Sequence, residues 1–162
     1  MEAPTRAPEV GESAPDFKLR GPGGAFHSLS EHRGDKHVLL VFYPLAFSPG
    51  CSHQLPQVQS LLARFQAADT VVYGISTDHH HSNSAFAEKL GLDFPLLSDW
   101  MRVASRDYGV LVPEAGYAWR ASFLIGRDGR VLWRDVSEKR GISDHLPSLE
   151  AALSAIAAQP AR

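Results

Sequence analysis

The single cysteine of the chain, Cys51, lies where the sequence predicts the start of a helix. The apolar run Val38–Tyr43 predicts a buried strand, and apolar residues at helical spacing from Leu55 to Phe65 predict the helix that follows. Between them, a loop marked by proline and glycine, Pro44 to Gly50, brings Cys51 to the first helical turn. Unpaired N–H groups and a partial positive charge at a helix N-terminus favour a thiolate over a thiol. This position therefore suits a reactive cysteine.

Two polar side chains could assist such a thiolate. Ser48 has a hydroxyl three residues before the sulfur, close enough to hold a polar substrate atom beside it. Arg120 opens a predicted strand, and its planar, permanently charged guanidinium could keep a thiolate ionised and donate to a developing oxyanion. From the residues alone, two alternatives stay open. Cys51 could be a small buried hydrophobe, and Arg120 could be a strand-end arginine in a surface ion pair.

The spacing Pro44-x-x-x-Ser48-x-x-Cys51 resembles the Pro-x-x-x-Thr/Ser-x-x-Cys signature of the peroxiredoxins, which are peroxidases built on a thioredoxin-like fold. Three further segments follow the order found in that family: Ala14–Phe17, Phe94–Asp99 and Arg120–Ile125. The resemblance covers the chain from Val10 to Leu153. The Pro-Leu-Ala-Phe stretch that starts at Pro44 is similar to the AhpE branch, and the Pro-Gly-Cys that ends at Cys51 is similar to the Q-type (bacterioferritin-comigratory) branch.

The resemblance implies catalytic roles for four residues. Cys51 would be the nucleophile that attacks a peroxide oxygen, while the Ser48 hydroxyl and the Cys51 backbone N–H bind the peroxide. Arg120 would support both sulfur and peroxide, and Pro44 would shield the pocket from water. Serine at position 48 keeps the hydroxyl of the commoner threonine but lacks the methyl group that helps fix its rotamer. The implied activity is reduction of hydrogen peroxide and organic hydroperoxides by a homodimer, with no cofactor.

Two positions depart from the family pattern after Cys51. Many Q-type members have a resolving cysteine five residues after the nucleophile, where this chain has Pro56. Because the chain has no second cysteine, a sulfenic acid on Cys51 would need an external thiol. That reductant would be a low-molecular-weight thiol or a protein of the thioredoxin or glutaredoxin type. Gln54 stands where relatives often have glutamate, which removes a negative charge one helical turn from the sulfur.

The order of predicted elements indicates an α/β fold. A hairpin with a Gly-rich turn is expected over residues 16–29. The helix after Cys51 should run to Ala67, and Pro56 within it should kink it or break one hydrogen bond. Further elements are expected as a strand at Thr70–Ser76, a helix at Ser82–Leu90, a hairpin around Arg127–Arg130 and a last helix at Ser143–Ala157. Strands alternating with helices predict a sandwich with a mixed central sheet. The resemblance makes this sandwich thioredoxin-like.

Composition and charge argue against several classes of function. Sixteen Lys and Arg against eighteen Asp and Glu give a formal charge of −2, which provides no general attraction for nucleic acid or an anionic membrane. No apolar run approaches the about 20 residues of a membrane span, and we expect no secretory signal at the start. A lone cysteine fits a reducing cytoplasm. We expect one domain at residues 10–158, between a disordered lead-in at 1–9 and a tail at 159–162.

His53, which is near Cys51, and a run of three histidines are further candidates for a catalytic base or a metal site. His53 could act as a base, but residues two apart on a helix point in different directions, so we expect it to face solvent or an interface. The consecutive His79, His80 and His81 could suggest a metal site. We expect that side chains so spaced do not converge on one ion, and we predict no metal. Asp78 is expected to cap the helix that follows.

Two other functions compete with a peroxidase. A thiol–disulfide oxidoreductase on the same fold would normally have a Cys-x-x-Cys pair, and Gln54 stands where the second cysteine would be. In a non-catalytic thioredoxin-like redox sensor, Cys51 would be oxidised slowly as a signal. Such a scaffold would have no need of Pro44, Ser48 and Arg120 together. The sequence therefore favours a one-cysteine peroxidase.

Overall fold

The computed structural model describes residues 6–137 and 145–160, with the backbone alone at residues 50, 51 and 137. Helices and strands alternate along most of this chain, which confirms the predicted α/β class. In chain order the elements are β1 (Lys18–Arg20), β2 (Phe26–Ser28), β3 (His37–Phe42), α1 (Pro49–Ser60), α2 (Leu62–Ala67), β4 (Thr70–Ser76), α3 (His80–Leu90), β5 (Leu96–Ser98), α4 (Val103–Asp107), β6 (Leu111–Val112), β7 (Tyr117–Ala118), β8 (Arg120–Ile125), β9 (Val131–Ser137) and α5 (Leu146–Ala157).

Seven strands form one mixed sheet in the order β2-β1-β5-β4-β3-β8-β9. The central strands β3, β4 and β5 are parallel, whereas β8 is antiparallel to β3 and β9 is antiparallel to β8. Parallel neighbours need long crossover connections; α1 and α2 connect β3 to β4, and α3 connects β4 to β5. The antiparallel β1–β2 hairpin extends the sheet beyond β5. The predicted mixed sheet and N-terminal hairpin are both present.

The sheet separates two apolar cores. Strand β3 is buried along its whole length, as expected for a strand covered on both faces. On one face, Leu39 and Val41 pack against helices α1, α2, α3 and α5 through Leu55, Val58, Leu62, Phe65, Phe86, Leu149 and Ala152. On the opposite face, the alternate residues Leu40 and Phe42 belong to a core with the N-terminal segment and α4, which includes Phe17, Ala104, Tyr108 and Phe123. The helix that carries Cys51 thus covers the Leu39 face.

Two details differ from the sequence prediction, and a third lies outside the described residues. The helix after Cys51 is divided at Leu61, which has φ −108° and ψ 3°, and not at Pro56, which stays inside α1. A proline removes one backbone hydrogen bond, but burial of the apolar side of α1 holds the helix through it. The short β6–β7 hairpin has no counterpart in the prediction. The last helix begins at Leu146, and its predicted start at Ser143 lies outside the described residues.

The described N-terminal residues pack on the fold. Ala7 is buried, the Arg6 guanidinium lies 2.9 Å from the Glu12 carboxylate, and Arg134 donates to the carbonyl oxygens of Ala7 and Pro8. Residues 6–9 of the expected lead-in therefore contact the domain, whose limits stay a prediction. Within the ranges that the structure covers, no helix is long and apolar enough to cross a membrane.

Candidate active site

The loop between β3 and α1 delivers Cys51 to a helix start. Ser48 has an extended backbone (φ −73°, ψ 151°) and is the N-cap of α1, and the N–H of Ser52 donates to its carbonyl oxygen at 2.9 Å. Pro49 is the first helical residue, where its missing N–H costs little. Cys51 is the third residue of α1, in the turn whose N–H groups lack partners within the helix. Its placement agrees with the sequence prediction.

Ser48 and Pro44 lie at the two ends of this loop, and both are partly buried. The Ser48 hydroxyl donates to the carbonyl oxygen of Leu45 at 2.9 Å and makes no capping bond to α1. This bond holds the hydroxyl at the helix start, while its oxygen can still accept a hydrogen bond from a ligand. Pro44 directly follows the buried Tyr43. The contacts of Ser48 and Pro44 with peroxide stay predictions.

Strand pairing brings Arg120 to the end of the sheet from which the cysteine loop projects. Ala121 of β8 is paired with Phe42 of β3, so Arg120, one residue earlier in the antiparallel strand, lies beside Tyr43. Side chains alternate along a strand, so Arg120 is on the same face as Leu124, which packs in the core beneath α1. Arg120 is partly buried. The fold therefore places Arg120 on the face covered by the cysteine-bearing helix, next to the start of the loop.

The loop has an unusual backbone at Phe47, whose φ is 67°. A positive φ is uncommon for a residue other than glycine, and such conformations persist only when surrounding contacts hold them. The Phe47 ring lies 5.0 Å from the ring of Phe86 on α3, and Lys89 Nζ lies 5.7 Å from the centre of the Phe47 ring. Helix α3 thus supports the loop from one side, although Phe47 itself is 48% exposed.

Gln54 is buried, with 2% of its surface exposed. It follows Cys51 by three residues, and its Oε1 atom has no hydrogen-bond partner among the residues that the structure describes. A carboxylate at this place would lose hydration that is far more costly than that of an amide. His53 is exposed, and its Nε2 lies 3.5 Å from Nε2 of Gln57. This exposure fits the predicted solvent-facing role of His53.

The three consecutive histidines do come together. Their potential ligand atoms lie within 4.8 Å of one another, so the expectation that His79, His80 and His81 do not converge is wrong. The three rings lie against one another at the start of α3, with centroid distances of 4.2–5.0 Å. Burial, then His81, His79 and Arg20, lower the pKa of His80. A cationic neighbour such as Arg20 opposes binding of a metal cation, and the absence of a metal stays a prediction.

The prediction that Asp78 caps α3 is wrong. Asp78 makes a different contact, which the sequence prediction missed. His79 caps the helix, because its Nδ1 accepts from the N–H of His81 at 3.3 Å. The Asp78 carboxylate instead accepts from the N–H of Ala46, inside the cysteine loop, at 2.8 Å. One signal could have found this contact. Asp78 follows the end of β4, and parallel neighbours such as β3 and β4 end at the same edge of the sheet.

Comparison with known proteins places this chain in a family. The family model described as AhpC/TSA matches residues 10–134. Alkyl hydroperoxide reductase E of Mycobacterium tuberculosis is 37% identical over 137 residues, which cover 83% of this chain and 90% of that protein. Peroxiredoxin Bcp of Bacillus subtilis is 32% identical over 150 residues, covering 88% and 95%. The solved structure of peroxidoxin BcpB from M. tuberculosis has a TM-score of 0.84 at 30% identity, covering 95% of this chain and 99% of that one.

The position of Arg120 leads to a test by mutation. Arg120→Ala should slow oxidation of Cys51 by hydrogen peroxide by about 100-fold, the low end for loss of one charge-stabilising donor. Arg120→Lys should recover only part of the rate, because an ammonium cannot present two donors in one plane. Arg64→Ala is a matched control, since it removes an exposed arginine paired with Glu150. Stopped-flow fluorescence would measure the rates. Wild-type rates in both Arg120 variants would contradict a role in the reaction and favour the alternative of an arginine in a surface ion pair.

Proposed function

Because the chain belongs to the AhpC/TSA family of peroxiredoxins, and is therefore a thiol-dependent peroxidase with a thioredoxin-like fold, we propose that Cys51 is its peroxidatic nucleophile. The observation that carries this proposal is the position of the lone cysteine, which lies in the first turn of α1 within the matched segment. The substrates are hydrogen peroxide and organic hydroperoxides. The reductant is a thiol from outside the chain, either a small thiol or a protein of the thioredoxin or glutaredoxin type.

The reaction needs a thiolate, an aligned O–O bond and stabilisation of charge on the leaving oxygen. The Cys51 thiolate attacks one peroxide oxygen, the O–O bond breaks, and the second oxygen leaves as hydroxide or alkoxide and takes up a proton. Cys51 is thereby oxidised to a sulfenic acid. In this proposal, the Ser48 hydroxyl and the Cys51 N–H bind the peroxide, Arg120 stabilises the developing charge, and Pro44 limits the access of water to the sulfur.

Return to the thiolate follows from the cysteine count. With no second cysteine in the sequence, an external thiol condenses with the sulfenic acid and releases water, which leaves a mixed disulfide on Cys51. A second external thiol attacks this disulfide and restores Cys51, so that two thiols are oxidised to one disulfide per peroxide reduced. Such a cycle needs a thiol-rich compartment, and we therefore propose that the protein acts in the cytoplasm.

Mass spectrometry of peroxide-treated protein tests the one-cysteine cycle. Without added thiol, the wild-type chain should gain the mass of one oxygen, and excess peroxide should add a second and a third. A small thiol added together with peroxide should produce a mixed disulfide. Cys51→Ser should show none of these products and should not consume peroxide, because the nucleophile is lost with little change of volume. A dominant covalent dimer at low peroxide would overturn the external-thiol step, and peroxide consumption by Cys51→Ser would overturn the site.

We also propose that the protein is a homodimer, joined through apolar side chains near the cysteine loop. Leu45 and Phe47 of that loop are 41% and 48% exposed, and Trp100, Met101 and Val103 before and within α4 are 44–74% exposed. The two segments are neighbours through the intervening loop, since Asp78 bonds Ala46 and the ring of His79 lies 5.2 Å from that of Trp100. Exposed apolar clusters of this kind mark interaction surfaces.

Sedimentation velocity tests the dimer. The wild-type chain should sediment as a dimer at micromolar concentration, and the double variant Trp100→Asp with Met101→Asp should sediment as a monomer, because two carboxylates would lose their hydration in the interface. Val10→Asp is the matched control, since Val10 is also exposed (60%) but lies in the N-terminal segment. A wild-type monomer, or a dimer that the double variant leaves intact, would contradict the proposed surface.

A further inference from the structure

Asp78 bonds the backbone of the cysteine loop. It lies two residues beyond the end of β4, and its Oδ2 atom accepts from the N–H of Ala46 at 2.8 Å. Ala46 is between Pro44 and Ser48, so this bond fixes a peptide in the middle of the segment that leads to Cys51. Bonds from a neutral N–H to an ionised carboxylate are among the stronger protein hydrogen bonds. Nothing in the reaction described above uses Asp78.

Asp78 is itself held by two strands of the sheet. The Ser76 hydroxyl, at the end of β4, donates to the same Oδ2 atom at 2.9 Å, and the Asp78 N–H donates to the Ser76 Oγ atom at 3.2 Å. The Ser98 hydroxyl, at the end of β5, donates to the Asp78 carbonyl oxygen at 2.7 Å. Both the side chain and the backbone of Asp78 are therefore anchored to the rigid edge from which the loop projects.

A second contact fixes the start of the loop. The Tyr43 hydroxyl donates to Oδ1 of Asn83 on α3 at 2.6 Å, and Nδ2 of Asn83 donates to the carbonyl oxygen of Leu97 on β5 at 3.3 Å. Tyr43 and Asn83 are both fully buried, so this bond holds the residue before Pro44 without competition from water. The bond from Ala46 to Asp78 is then the next fixed point toward Cys51.

Packing holds the middle of the loop only in part, through Ala46, which is partly buried against the apolar core. Leu45 and Phe47, on either side of Ala46, are 41% and 48% exposed, and Phe47 has the positive φ described above. A backbone in such a conformation relaxes when the contacts that hold it are removed. Because the Ser48 hydroxyl bonds the carbonyl oxygen of Leu45, a shift of the Leu45–Ala46 peptide would move that hydroxyl as well.

We propose that Asp78 is a positioning residue for peroxide reduction, which fixes the Ala46 peptide and through it the place of the Ser48 hydroxyl beside Cys51. This inference rests on the proposed function of Ser48 and Cys51. Misplacement of a catalytic group by about 1 Å can cost about 100-fold in rate. Asp78 therefore affects the alignment of peroxide, and it leaves the intrinsic reactivity of the thiolate largely unchanged.

Two reactions of Cys51 distinguish a loss of peroxide alignment from a loss of thiolate reactivity. Oxidation by hydrogen peroxide needs the aligned site, whereas alkylation by iodoacetamide needs only an accessible thiolate. Asp78→Ala should lower the second-order rate constant with peroxide by about 10- to 100-fold, and the alkylation rate should change by less than about threefold. Asp78→Asn should restore most of the peroxide rate, because an amide oxygen can accept from the Ala46 N–H and the Ser76 hydroxyl.

Asp93→Ala is the matched control, because Asp93 also accepts a 2.8 Å bond across elements, from Gln59, away from the loop; it should react as wild type. If Asp78→Ala does not fold, Ser76→Ala takes its place, with an expected loss of peroxide rate of about threefold or more. A wild-type peroxide rate in the folded variant, an equal fall of both reactions, or no rescue by asparagine would overturn the positioning role. A wild-type chain that peroxide does not oxidise would overturn the proposed function instead.

Discussion

The antiparallel pairing of β3 with β8 is the constraint on which the site depends. Because Ala121 is opposite Phe42, Arg120 lies beside the residue that starts the cysteine loop and on the face covered by α1. A slip of one residue would move every side chain of β8 to the other face of the sheet. Strand β3 is at most 4% exposed at every position, so such a slip would disrupt both cores. The buried sheet thus fixes the backbone position of Arg120 and the face of the sheet on which its side chain lies.

The loop that connects β3 to α1 is less buried than the sheet, because Leu45 and Phe47 are 41% and 48% exposed, although Ala46 between them packs against the apolar core. Tyr43 is bonded to Asn83, and Ala46 to Asp78, so the loop is held at two points by the connections that follow β4. Further support comes from Ala46, which packs against the apolar core, and from the Phe47 ring, which lies 5.0 Å from that of Phe86. The two hydrogen bonds thus hold the loop that leads to the start of α1.

The sequence predicts those features that depend on residues close together in the chain. The helix start at Cys51 follows from a strand, a loop with proline and glycine, and helical spacing. For Arg120, the residues alone leave open a surface ion pair, and the family motif favours the role beside the thiolate. The sequence could not predict contacts between distant positions, such as the bond of Ala46 to Asp78, which lie 32 residues apart. The contact among the three histidine rings was missed for a different reason. Local spacing suggested divergence, but the turn into α3 brings the rings together.

The contribution of the fold to the chemistry of Cys51 can be measured directly. The rate constant of Cys51 with hydrogen peroxide is compared between the folded protein and the same protein unfolded in guanidinium chloride, at one pH and with correction for the solvent. If the helix start, Arg120 and the loop together align peroxide and stabilise the leaving oxygen, the folded protein should react at least about 1000-fold faster. Equal rates in the two states would contradict a peroxidase site at Cys51, because the fold would then add nothing to the reactivity of a free thiol.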